Sequence, residues 1–199
     1  MKISAKPLLL ASLLVSSLAP AAASADWYFG AAVGQTNNQF SSISASGDKD
    51  TSTSYKMFAG LGLSPQFALE IGYIDLGKFV DFGSVPTTVK AQDLAFTLVG
   101  KVKVHPRVDF FGRWGLGYWD AKWTLLGTST SKTGLGQVVG LGFDFRPTFL
   151  PDNFRVGFEW EQYQNVGEGA SSFGARLMGQ NVDVMQLRLV YHLDLAPGP

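Results

Sequence analysis

The sequence predicts an all-β protein, an eight-stranded antiparallel up-and-down transmembrane β-barrel, and three observations carry that expectation. After Asp26 the apolar residues recur with period 2 and never sustain a helical period, the mark of strands with two unlike faces. The segments that alternate in this way are joined by connections that are short and long by turns. Charge is also sparse: 46% of residues are hydrophobic and only 16% charged, against about 25% charged in an ordinary soluble domain. Such a surface is too poor in charge to face water alone. In lipid every backbone polar group must be satisfied within the protein, which only helices and closed barrels achieve. Nothing after residue 25 is long and apolar enough for a spanning helix, so a barrel is left.

The first segment, residues 1–25, reads as a secretory signal peptide. Lys2 and Lys6 form a positive start, Leu8 to Leu18 a short apolar stretch, and Ala23-Ser24-Ala25 a small-residue cleavage site. The apolar stretch falls well short of the ~20 residues of a membrane helix, and no cysteine follows to carry a lipid. The exported chain is expected to begin at Asp26, with a barrel over residues 26–195 and a short tail over 196–199.

Eight strands follow in order. Trp27 to Gln35, Tyr55 to Ser64 and Phe67 to Leu76 come first. The fourth sets Leu94, Phe96, Leu98, Gly100, Val102 and Val104 on one parity against Asp93, Ala95, Thr97, Val99, Lys101 and Lys103 on the other. The fifth opposes Phe110, Trp114, Leu116 and Tyr118 to Asp109, Arg113, Gly115 and Gly117. Leu135 to Phe145 is the sixth. The seventh opposes Phe154, Val156, Phe158 and Trp160 to Arg155, Gly157, Glu159 and Glu161, and Val182 to Leu193 closes the set. These lengths suit the about 9 to 11 residues of a tilted transmembrane strand. Ser64-Pro65-Gln66, His105-Pro106-Arg107 and Arg146 to Asn153 are the short connections, placed on the periplasmic side. Thr36 to Ser54, Gly77 to Lys90, Asp120 to Gly134 and Gln164 to Asn181 are the long ones, placed outside.

Once the strands have directions, the outward aromatics sort into two girdles. Trp27, Phe67, Phe110, Phe145, Phe154 and Tyr191 fall near the periplasmic ends, and Tyr55, Tyr73, Tyr118 and Trp160 near the outer ends. Gly60, Gly62, Gly72, Gly115, Gly117, Gly140 and Gly142 take the inward parity, leaving room in a narrow lumen for larger charged neighbours. Those neighbours are Glu70, Lys101, Lys103, Asp109, Arg113, Asp144, Arg155, Glu159 and Arg188. An unpaired charge in so narrow a space costs several kcal/mol, so a network of ion pairs is expected. Register across the short turns predicts Lys103 facing Asp109 and Asp144 facing Arg155. Glu70 with Lys101 and Glu159 with Arg188 are the neighbouring-strand candidates.

Four stretches resemble the transmembrane domain of the outer membrane protein A family: Trp27-Tyr28-Phe29-Gly30-Ala31, Leu69-Glu70-Ile71-Gly72-Tyr73, Val108 to Gly115 and Gly157 to Gly167. With Ser54 to Leu63 and Gln186 to Leu193 the resemblance covers essentially residues 26 to 195. It implies an eight-stranded outer-membrane barrel of a Gram-negative bacterium and, in the lumen, an ion-pair exchange associated with a small gated pore. Glu70 and Asp144 match the family's two acidic positions, and Arg113 and Glu159 match further lumen charges. The two basic positions align with Val99 and Gly157, while Lys101 and Arg155 stand one inward step away. The last strand carries Leu187, Leu189, Tyr191 and Leu193 on its outward face, similar to the terminal assembly signal of such barrels. Full-length relatives carry a peptidoglycan-binding domain after a Pro-rich linker, whereas the sequence here stops at Ala196-Pro197-Gly198-Pro199, so a cell-wall tethering role is not expected.

Enzyme motifs are thin. The two histidines, His105 beside a turn proline and His192 at the periplasmic end, offer no metal pair at helical spacing. Gly127 to Thr133 lacks the glycine that a phosphate loop places before its lysine, and it opens no helix. The Gly-x-Gly pairs are strand glycines without a βαβ unit around them. The chain is therefore expected to be a non-enzymatic barrel that supports envelope integrity and presents four loops, with at most a narrow salt-bridged pore. A small-solute or ion transporter is the alternative, and a lipid A-modifying enzyme the next. No cofactor and no metal are expected. The expected partners are outer-membrane lipid, lipopolysaccharide and, during biogenesis, the barrel-assembly machinery; the near-neutral charge argues against nucleic acid, and a monomer is anticipated.

Overall fold

The computed structural model describes residues 26–38, 51–79, 87–125, 128–167, 171–172, 175–176 and 180–193. The expected signal peptide, residues 1–25, and the expected tail, residues 196–199, lie outside the described residues. Eight long strands form a closed antiparallel barrel: β1 (Asp26–Asn38), β2 (Thr51–Gly62), β3 (Phe67–Phe79), β4 (Thr87–His105), β5 (Val108–Leu125), β6 (Thr128–Phe145), β7 (Phe154–Val166) and β10 (Gln180–Leu193). Each pairs with the strand next to it in sequence, and β10 closes on β1 through a ladder from Trp27 opposite Leu193 to Asn38 opposite Val182. A two-stranded ribbon, β8 (Ser171–Ser172) with β9 (Ala175–Arg176), sits in the last long connection.

The two faces divide as the alternation predicts. Phe96, Leu98, Val102, Trp114, Leu116, Leu141, Phe143, Leu187 and Leu189 are exposed on the outside, where lipid would cover them. Their alternation partners, including Thr97, Val99, Arg113, Asp144 and Arg188, are buried inside. Within the lumen two apolar groups form. One, nearer the periplasm, packs Tyr28, Phe58, Ala68, Val99, Phe111 and Val190; the other, toward the outside, gathers residues such as Leu76, Trp119, Val138, Tyr163 and Val184.

Several of the inward glycines make room for aromatic rings as well as for charges. A Cβ on Gly60 would run into the Tyr28 ring, and one on Gly142 into the Phe111 ring. Gly117 and Gly140 fit the expected role, facing the Asp93 carboxylate and the Arg113 and Glu161 side chains respectively.

Two expectations about the outer connections need correction. Asp120 to Gly134 is not a long loop, because the β5–β6 ladder continues from Asp120 opposite Thr133 to Leu125 opposite Thr128. Likewise β4 begins at Thr87 and runs for 19 residues, and β5 and β6 have 18 each. That length exceeds what a bilayer requires, so this wall projects beyond it. Thr, Ser and Lys in this stretch look like loop composition because the outer face no longer meets lipid; the backbone ladder persists regardless.

A β-bulge interrupts β3 between Asp75 and Lys78. Gly77 takes a left-handed φ of 84° there, a conformation that glycine adopts without the Cβ penalty. Its amide donates to the Asp75 carboxylate at 2.8 Å, and the Lys78 amide donates to the Ser52 hydroxyl at 2.9 Å.

Candidate functional site

Three cations and four carboxylates drawn from six strands meet in a belt across the middle of the lumen. Lys56 of β2 lies 2.6 Å from Glu161 and 3.2 Å from Glu159, both of β7. Arg113 of β5 uses one terminal nitrogen for Glu70 of β3 at 2.6 Å and for Glu161 at 2.7 Å, and the other for Glu159 at 2.9 Å. Arg188 of β10 reaches Glu159 at 2.9 Å and Asp144 of β6 at 3.3 Å. The Tyr28 and Tyr163 hydroxyls donate to Glu70 and Glu161. Every cation is thus shared between at least two carboxylates, which is how a dry interior can hold charge: the desolvation of each ion is offset by several partners. Glu159 is 0% exposed and Arg113 5%, so the belt is buried inside the lumen.

Beneath it the rings of Phe58 and Phe111 form a floor. The Arg188 guanidinium lies 4.5 Å from the Phe58 centroid and 4.6 Å from that of Phe111, and Arg113 lies 5.1 Å from Phe111. The negative ring faces extend the belt's neutralisation downward. Below them a recess of about 500 Å³ opens to the periplasm among Asp26, Lys101, Lys103, Asp109, Arg146, Arg155 and His192. There Asp109 accepts from Arg155 at 2.7 Å and Arg146 at 3.2 Å, and His192 meets Asp26 at 3.0 Å.

The expected charges therefore divide. Glu70, Arg113, Asp144, Glu159 and Arg188 come together in the belt, and the Glu159–Arg188 contact forms. Lys101, Lys103, Asp109 and Arg155 belong to the mouth. Lys103 stands opposite Asp109 in register but is exposed, while Asp109 pairs with the two arginines.

Two predicted partnerships are overturned. Asp144 lies opposite Gly157, not Arg155, a shift of two residues. The β6–β7 connection closes unevenly, because its ends are tied to different neighbours: the Arg146 amide donates to the Arg107 carbonyl and the His192 amide to the Asn153 carbonyl. Glu70 lies opposite Thr97, whereas the Lys101 amide bonds the Gln66 carbonyl nearer the periplasm. The Lys101 ammonium instead sits 4.3 Å from the Tyr28 ring centroid.

The family model of the outer membrane protein beta-barrel domain matches residues 8–192. The chain belongs to this family. Solved barrels of the outer membrane protein beta-barrel type share its fold. Neisserial surface protein A matches with a TM-score of 0.61 at 13% identity, over 83% of this chain and 96% of that one. The N-terminal barrel domain of Pseudomonas aeruginosa OprF matches with a TM-score of 0.55 at 12% identity, over 84% and 97%. Ail, the attachment invasion locus protein of Yersinia pestis, matches with 0.54 at 16%, over 85% and 97%. No curated protein matches the chain. The protein is a barrel of the Gram-negative outer membrane.

Within this outer membrane protein beta-barrel, Val99 and Gly157, where the resemblance to the outer membrane protein A family leads one to expect lumen cations, supply no charge, and the cations come from elsewhere. Val99 joins the lower apolar group. Gly157 leaves the space that Asp144 and the Arg188 stem occupy, and a Cβ there would meet both. Arg188 and Lys56 thus supply charge where Lys101 and Arg155 had seemed nearest. Lys56 and Glu161 were not among the charges expected in the network, although both were detectable: Lys56 shares parity with Gly60 and Gly62, and Glu161 with Arg155 and Glu159. Asp93, buried with one carboxylate oxygen lacking a hydrogen-bond partner, is a further inward acid above the belt.

Proposed function

We propose that this protein is a non-enzymatic structural barrel that contributes to envelope integrity, presents its outer connections at the cell surface, and has a lumen plugged by its ion-pair belt. The observation that carries this reading is the burial of Lys56, Glu70, Arg113, Glu159 and Glu161 in mutual contact. A lumen closed by reciprocal ion pairs serves as a rigid support more readily than as a conduit. Outer-membrane lipid and lipopolysaccharide are its surroundings in this reading, the barrel-assembly machinery inserts it after removal of residues 1–25, and it acts as a monomer. Planar bilayers test the plug: the protein, checked for a folded barrel by its shifted migration on an unboiled gel, should show little or no steady conductance. Stable channels of several hundred picosiemens would overturn it.

A second reading, ion passage by exchange of partners, draws on one observation. Glu70 lies 2.6 Å from Arg113 and 3.8 Å from both Lys56 and Arg188, so a small movement trades one cation for another. Glu70→Gln should then raise the frequency of brief openings, and a trace as quiet as that of the unaltered protein would remove this reading.

A further inference from the structure

Three lysines stand side by side on the outer face of the barrel. Lys78 of β3 is directly opposite Lys90 of β4, and Lys90 is directly opposite Lys122 of β5. All three are exposed. Neighbouring strands are only about 5 Å apart, and like charges directly opposite one another destabilise a sheet. Among the described residues no carboxylate lies within ion-pair distance of any of the three.

Simple alternation does not produce this row. Asp75 is on the outward parity, so an uninterrupted strand would turn Lys78 into the lumen. The bulge at Gly77 inserts one residue, reverses the parity and brings Lys78 into line with Lys90. Bulges commonly re-aim a side chain in this way. Here the geometry is held by the Asp75 and Ser52 hydrogen bonds, and a side chain on Gly77 would collide with Ser52.

The height of the row points to its ligand. Tyr73, Leu94 and Tyr118 lie opposite one another in the outer aromatic girdle; Asp75, Gln92 and Asp120 form the next outward row, and the lysines the one beyond. Two rows of tilted strand place the lysines about 10 Å above the girdle tyrosines, beside the headgroup layer and not at the loop tips. On β1 and β2 the corresponding outward residues, Gln35, Asn37, Thr51 and Thr53, are neutral. The lysine row of this wall is therefore purely cationic and faces sideways into the outer leaflet, with the carboxylates of Asp75 and Asp120 one row nearer the girdle.

We propose that Lys78, Lys90 and Lys122 form a docking row for the phosphate groups of lipopolysaccharide in the outer leaflet. Ammonium groups bind phosphate as point charges, and a phosphate lying across the row would offset the repulsion that the register imposes. This inference rests on the membrane reading given above but not on the plugged lumen.

The test uses the full barrel folded into phosphatidylcholine nanodiscs, with labelled lipopolysaccharide and the same lipid stripped of phosphate as probes. Lipopolysaccharide should bind more tightly than its dephosphorylated form, and binding should weaken about fivefold for each lysine changed to Gln. The triple replacement with Arg should retain affinity. Lys90→Gln alone removes the central charge and gives the same answer should the triple Gln variant fold poorly. Equal binding by the Gln variants and the unaltered protein would overturn the proposal, as would equal binding of the dephosphorylated lipid or a preference for a soluble sulfated saccharide. A protein that cannot enter the nanodisc as a heat-modifiable barrel would instead overturn the membrane reading itself.

Discussion

Between the aromatic girdles, the barrel is oily outside and charged within; above the outer girdle it is the reverse. In the lower region Leu69, Phe96, Leu98, Leu116 and Leu141 are exposed while Glu70, Arg113, Glu159 and Arg188 are buried. In the upper region Lys90, Gln92, Asp120 and Lys122 are exposed while Leu76, Val89, Trp119 and Ala121 are buried. The same strands, β3 to β5, run through both. What changes is the solvent: the chain keeps its period of 2 and exchanges the chemistry of its two faces where lipid gives way to water. The upper part is built like a water-facing barrel with a mainly apolar core, stacked on a membrane barrel whose core is an ion-pair belt resting on an aromatic floor.

The sharpest way to break the comparison is to remove the cation at the centre of the lower core. Arg113→Ala leaves Glu70, Glu159 and Glu161 with only Lys56 and Arg188 among them, a loss of about 3 to 5 kcal/mol for a buried pair broken from one side. Urea unfolding in lipid vesicles measures it, and a loss below 1 kcal/mol would mean that water reaches the belt. The upper core should respond as an ordinary apolar interior. Leu76→Ala, at a fully buried position, should cost about 2 to 5 kcal/mol through lost burial and the cavity left behind. No change on vesicle unfolding would show that the outer segment contributes no packed core.

The outer faces of the two regions should differ along a single strand. Leu98→Arg puts a charge against lipid and should cost about 2 to 4 kcal/mol, while Gln92→Arg, six residues nearer the outside on the same face, should cost about 0 to 1. Thr97→Arg, inward between them, depends on packing alone. Equal losses for Leu98→Arg and Gln92→Arg would place both positions at one depth and erase the boundary at Tyr73 and Tyr118.

Most of the fold was legible because parity, turn residues and aromatic placement all follow from the membrane as solvent. The β5–β6 projection was not: from Thr128 to Thr133 the residues are polar on both parities, so no alternation marks a strand held mainly by its backbone ladder. In the lumen, membership was easier to read than partnership. Parity points inward for Lys56 and Glu161 as surely as for Glu70, but contacts depend on tilt, turn geometry and the reach of long side chains. Arg188 is opposite Gly157 yet hydrogen-bonds Glu159 on the diagonal and forms an ion pair with Asp144 two strands away. Local arithmetic across a turn cannot anticipate such a reach.

The smallest effect separates the two candidate partners of Asp144. Asp144 and Arg188 lie 3.3 Å apart, so a double-mutant cycle with Asp144→Asn and Arg188→Gln should show a coupling of about 0.5 to 3 kcal/mol, the range for residues in one network. The same cycle with Arg155→Gln should give about 0.5 kcal/mol or less, because Arg155 is engaged with Asp109 at the mouth. The two cycles differ only in which arginine is removed, and Asn keeps the size of the acid, so cavity terms largely cancel. Strong coupling to Arg155 and none to Arg188 would require β7 to slide by two residues against β6. Glu159 and Glu161 would move with it, and Arg113 would lose the contacts that close the belt.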